Sequence, residues 1–141
     1  MLRSSRAELI AANVLCKAGR GADALRLVEN ALRRNAETGG RVYDAELYRM
    51  SGELFLTEKG NNDEADRAFR TAIDVARRQC AKSLELRGTT SLARLLAKQG
   101  KRVEARSMLA EIYNWFTEGF DTADLKDAKA LLEELSVTDR R

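Results

Sequence analysis

The chain has 141 residues, with 25 Lys and Arg against 22 Asp and Glu, so its formal charge is only +3 and the charges interleave. It contains no histidine and no proline. That balance argues against a nucleic-acid module, which shows a denser basic patch, and the missing histidine removes the commonest general base and metal ligand.

Seven helices are predicted from the apolar spacing. The first covers residues 3–18 and the second 22–35, with Ala24, Leu27, Val28, Ala31 and Leu32 along one face. The third covers 43–59. The fourth, 63–79, places Ala65, Ala68, Phe69, Ala72, Ile73 and Ala76 at three- and four-residue steps, which puts them on a single face. The fifth covers 82–99. The sixth, 103–117, repeats the pattern with Ala105, Met108, Leu109, Ile112 and Phe116. The last, 123–135, carries Leu125, Ala128, Leu131, Leu132 and Leu135 and is capped by Asp121 or Thr122 after Gly119 ends the sixth.

One phrase recurs between these elements: Gly19 to Ala24, Gly60 to Ala65 and Gly100 to Ala105 all read Gly-x-x-x-acid-Ala, with the glycines 41 and 40 residues apart. Glycine ends a helix cheaply in the left-handed conformation, and the acids Asp23, Glu64 and Glu104 suit the first turn of the next helix. A period of this length signals stacked helical hairpins. Gly39 and Gly40 break the chain between the first two hairpins. The joint near Cys80 to Lys82 lacks a breaker, so the fourth and fifth helices are expected to run on almost continuously there.

Several chemistries are weighed and set aside. Gly100-Lys101 lacks the upstream glycine of a phosphate loop and sits at a helix end. Asp121, Asp124 and Asp127 read as dipole complements in a first helical turn rather than a cation site. The arginine pairs 33–34, 77–78 and 140–141 fall near helix ends and have no aromatic residues alternating with them as stacking platforms. Trp115, Phe116 and Phe120 read as a junction packing the seventh helix onto the third hairpin, with a partner pocket as the alternative. No catalytic, cofactor or metal residue is assigned. Cys16 and Cys80 form no Cys-x-x-Cys motif, residues 1–20 carry Arg3, Arg6, Glu8 and Lys17, and no apolar run approaches the ~20 residues of a membrane span. The expectation is a reduced cytoplasmic protein that makes no membrane contact.

The Gly or Ala, aromatic or leucine, Ala order across the hairpins resembles tetratricopeptide repeats. The matching residues are Gly52, Phe55, Ala65, Phe69 and Ala72 in the second hairpin, and Ala93, Leu96, Ala105, Leu109 and Ile112 in the third. The period exceeds the usual ~34 residues and the closing proline is absent. A further resemblance runs through Ala45-Glu-Leu-Tyr-Arg-Met-Ser-Gly-Glu-Leu54, through residues 69–79 and 83–87, and above all through residues 113–135. These are similar to the C-terminal region of bacterial multidomain proteins that join a class III adenylate/guanylate cyclase, or a winged-helix regulator, to a STAND-type ATPase. This resemblance implies a terminal repeat region whose catalytic parts lie elsewhere.

The fold expected is all-α: a tetratricopeptide-like stack of three hairpins (about residues 3–36, 43–80 and 82–117), a capping helix (122–136) and a frayed tail (137–141). In such arrays the first helix of each hairpin lines the groove. Register taken from Ala12, Gly52 and Ala93 places Arg6, Asn13, Glu46, Arg49, Glu53, Arg87, Thr90 and Arg94 there. Four arginines against two acids suggest an acidic peptide or carboxylate partner. The function expected is protein–protein interaction or regulation without catalysis, the partner being a protein, a peptide or other domains of a parent protein. The alternatives are a contribution to a cyclase enzyme, and self-association as a homodimer through hairpin faces at the N-terminal end.

Overall fold

A computed structural model describes residues 5–39 and 41–138. Seven α-helices account for most of them, with no strand among the described residues: α1 (Ser5–Lys17), α2 (Gly21–Thr38), α3 (Asp44–Leu54), α4 (Asn62–Arg78), α5 (Lys82–Lys98), α6 (Arg102–Tyr113) and α7 (Ala123–Thr138). Successive helices pack as neighbours, α3 also touches α5, and α5 touches α7. This is the pattern of a stack in which the odd-numbered helices form one layer.

The repeated phrases turn the chain as their chemistry dictates. Gly19, Gly60 and Gly100 hold φ of +76°, +58° and +83°, where a side chain would be strained. Each alanine of the phrase is fully buried: Ala24, Ala65 and Ala105 are all 0% exposed. Asn61 additionally caps α4, its side-chain oxygen accepting from the Glu64 amide at 3.1 Å. Residue 52 sets the tightest approach. A Cβ at Gly52 would lie 2.5 Å from the Phe69 ring, so the absence of a side chain on α3 is what lets α4 seat its aromatic there.

Two apolar clusters build the core. One joins Ala12, Ala24, Leu25, Val28, Ala31, Leu47 and Leu54 from α1, α2 and α3. The larger runs from Ala65, Phe69 and Ile73 of α4 through Leu86, Leu92 and Leu96 of α5 to Leu109, Leu125 and Leu135 of α6 and α7. Phe55 packs against both. Full burial of a phenylalanine contributes about 2 kcal/mol, and the half-buried Phe55 gains part of that from each half, which couples them. A buried polar clasp ties the ends of the first three helices together. The Asn35 amide donates to Asp44 Oδ1 and Ser5 Oγ, both at 2.9 Å, and the Ser5 hydroxyl donates back to Asn35 Oδ1.

The structure corrects four expectations. First, α4 and α5 are not continuous: Cys80 takes φ +55°, and the Ala81 amide bonds back to the Ala76 carbonyl at 2.8 Å. The cysteine does the job that glycine does at the other turns. Second, α6 ends at Tyr113, four residues early, and residues 114–122 form turns and bends, with the Thr122 hydroxyl donating to the Gly119 carbonyl. Gly119 therefore belongs to the connection rather than ending the helix. Third, the segment Phe55–Lys59 after α3 is a π-helical turn. The interval from Gly52 to Gly60 is one residue longer than those from Ala12 to Gly19 and from Ala93 to Gly100, and the wider turn absorbs the extra residue. Fourth, α2 extends to Thr38, where Gly39 caps it, and α7 runs on through Thr138, so the tail does not begin at residue 137. Residues 3–4, Gly40 and 139–141, including the Arg140-Arg141 pair, lie outside the described residues.

Candidate functional site

The odd-numbered helices enclose a cavity of about 440 Å³. Leu9, Ile10 and Asn13 of α1, Glu46, Arg49 and Met50 of α3, Arg87, Thr90, Ser91 and Arg94 of α5, and Asp124 and Asp127 of α7 line it. Six of the eight residues placed in the groove by sequence register are therefore brought together: Asn13, Glu46, Arg49, Arg87, Thr90 and Arg94. Glu53 lines an adjoining cavity of about 380 Å³ with Asn13, Arg49, Met50 and Cys16. Arg6 is exposed on α1 and lines neither cavity.

The register works because one turn of helix brings residues three or four apart onto the same face. Glu46, Arg49, Met50 and Glu53 follow that step on α3; Arg87, Thr90, Ser91 and Arg94 follow it on α5. The Thr90 hydroxyl donates to the Leu86 carbonyl at 2.8 Å, which spends its donor inside the helix.

Charge in the groove is organised around Glu46. Its Oε1 accepts from Arg49 and lies 3.6 Å from Arg87 Nη1, while Oε2 is buried without a hydrogen-bond partner among the described residues. Arg87 also donates through Nε to Asp124 Oδ2 at 2.9 Å, so it bridges α3 to α7 across the groove. Burial pulls the Arg87 guanidinium down, but Asp124 and Glu46 raise it on balance, so Arg87 keeps its charge. Arg94 and Asp127 make no ion pair among the described residues.

Register alone missed the acids of α7. Asp124 and Asp127 lie three residues apart, and the sequence offered a sufficient account of both as first-turn acids. Because α7 packs beside α5 as well as α6, its first turn closes the end of the groove. The lining therefore balances Arg49, Arg87 and Arg94 with Glu46, Asp124 and Asp127, in place of the basic excess expected.

Other candidates resolve into structural roles. Arg34 pairs with the buried Glu8, and Arg77 with Glu85 at 3.1 Å, so one member of each of the two arginine pairs among the described residues is committed to a carboxylate. Of the aromatic group, only Phe116 packs against the core. Trp115 and Phe120 remain 56% and 46% exposed, with Lys82 Nζ 5.4 Å from the Trp115 ring centre. Cys16 and Cys80 are free thiols, and burial, then Glu58, pushes the Cys16 thiol up, away from the thiolate a nucleophile needs. Among the described residues no group of three His, Cys, Asp or Glu side chains is placed to hold a metal, and no helix is long and apolar enough to cross a membrane.

An all-α stack of hairpins, lined by its odd-numbered helices and punctuated by buried small residues, defines a helical-repeat binding module. The sequence matches the tetratricopeptide repeat family over residues 4–78, just over half of its length. The chain belongs to that family, whose repeats generally mediate protein–protein interaction. No curated protein and no solved structure matches it.

Proposed function

We propose that the chain is a non-catalytic adaptor whose groove holds an extended segment of a protein partner. The single observation that carries this reading is the four-helix lining with an uncommitted cation, Arg94, beside an uncommitted acid, Asp127, on one cavity. Arg49 and Arg87 already spend charge on Glu46 and Asp124, so an acidic residue of the partner is read chiefly at Arg94. Phage-displayed random peptides, with the enriched sequences synthesised and titrated by fluorescence anisotropy, test it. The expected outcome is an acidic residue in the enriched set and binding weakened about tenfold by Arg94→Ala. Arg33→Ala, on a different surface, leaves binding unchanged. Peptides whose affinity is indifferent to Arg49→Ala, Arg87→Ala and Arg94→Ala alike would overturn the groove reading.

The resemblance of residues 113–135 to the ends of bacterial cyclase–STAND ATPase proteins supports a second, finer reading: the array ends such a signalling protein and docks against its other domains. Two exposed free thiols accord with a cytoplasmic setting. Sequencing the gene upstream of the Met1 codon tests the parentage, which an in-frame ATPase domain supports and its absence refutes. Measurable nucleotide cyclisation by this chain alone refutes the non-catalytic reading.

A further inference from the structure

The first helix carries the counterpart of an interface that α3 and α5 use, and no other element among the described residues covers it. Register from Ala12, Gly52 and Ala93 aligns Ala7 with Leu47 and Gly88, Ile10 with Met50 and Ser91, Ala11 with Ser51 and Leu92, and Val14 with Leu54 and Leu95. On α3 and α5 the outer positions of this set face the preceding hairpin, whereas Met50 and Ser91, like Ile10, line the groove. Leu47 and Leu54 sit in the cluster of α1 and α2, and a Cβ on Gly88 would lie 3.0 Å from Ile73 of α4. Leu54 and Leu95 are 4% and 2% exposed. Val14 is 61% exposed and Ile10 57%. Between Ala7 and Val14 the face carries no charge, because Glu8, the acid of α1, is turned inward to Arg34.

We propose that a second copy of the chain covers this face, the two α1 helices lying antiparallel about a two-fold axis between Ile10 and Ala11. Two features choose a second copy. The face continues the stacking interface already used twice in the array, so its width and register suit a helix of this kind. It is also self-complementary in size. In the antiparallel register Ile10 meets Ala11 of the second copy, and Val14 meets Ala7, each branched side chain opposite a methyl group. That register sets Arg6 across from Leu15, so no like charges oppose one another between Ser5 and Cys16. A two-fold axis makes the same patch serve both partners.

A face one helix wide lies at the small end of specific interfaces, so the dimer forms with rising concentration. Sedimentation velocity on the full chain from about 5 µM to about 1 mM should show the average mass climbing from one chain toward two. Val14→Asp and Ala11→Asp should each hold it at one chain with circular dichroism unchanged, since both side chains are exposed. On a Cys16→Ser, Cys80→Ser background, Ala11→Cys should give a disulfide-linked dimer under mild oxidation and Asn30→Cys should not. A single-chain mass at the top concentration overturns the proposal, as does association that both aspartate variants leave intact or equal cross-linking at Asn30. Val14 and Ala11 do not line the groove, so these outcomes are separate from the peptide titration.

Discussion

The first and third hairpins are built to one plan and differ in what surrounds them. On α5, Leu86, Leu92, Leu95 and Leu96 are buried, and even Thr89, Thr90 and Ser91 keep little exposure, because α4 packs on one side and α6 and α7 on the other. On α1, with Leu9, Ile10, Ala11, Ala12, Val14 and Leu15 in sequence, only Ser5, Glu8 and Ala12 are buried. The same register that makes a core in one hairpin leaves an open apolar face in the other. Burial along a stack is therefore conferred by neighbours as much as by pattern.

The sharpest way to break that comparison is a pair of substitutions at equivalent positions. Leu92→Ala, at a fully buried site, should cost about 3 kcal/mol in denaturant unfolding. Ala11→Leu, which installs the same side chain at the counterpart position, should change the stability of dilute protein by less than about 0.5 kcal/mol. Comparable losses at both sites would deny the difference. Next in size is the α3–α4 contact: Gly52→Ala drives a methyl group into the Phe69 ring and should cost about 2 kcal/mol, read as a lower urea midpoint with an unchanged slope.

The turns sharpen the comparison in the opposite direction. Five use glycine at positive φ (Gly19, Gly39, Gly60, Gly100 and Gly119) and one uses Cys80. Cys80→Gly should stabilise the chain by about 1 kcal/mol, since the thiol is exposed and a left-handed non-glycine residue carries strain. The smallest effect concerns the first-turn acids. Hydrogen bonds from Arg26, then Arg20, hold the Asp23 carboxyl below its ordinary 3.8. Its contribution is complete above that value and lost as pH falls through the lowered one. An NMR titration of Asp23 should move its midpoint upward in Arg26→Ala.

What the sequence made legible follows from chemistry with a fixed local signature. Each glycine of the repeated phrase sits at a positive-φ turn, each following alanine is buried, and helix periodicity on α1, α3 and α5 brought six groove residues to one cavity. What it hid depends on context. Cys80 looks like any helical residue, because nothing in its side chain announces a left-handed turn. Tyr113 ends α6 with neither glycine nor proline beside it. The π turn after Leu54 shows only as one extra residue between Gly52 and Gly60. Asp124 and Asp127 had an adequate local explanation, and only the placement of α7 against α5 makes them part of the groove.

Amide hydrogen exchange followed by NMR on dilute protein tests most directly whether neighbours decide which face is core. Amides of residues 92–96 should exchange only through global unfolding, and those of residues 10–14 at least about a hundredfold faster through local opening of α1. Equal protection of the two segments would contradict the account.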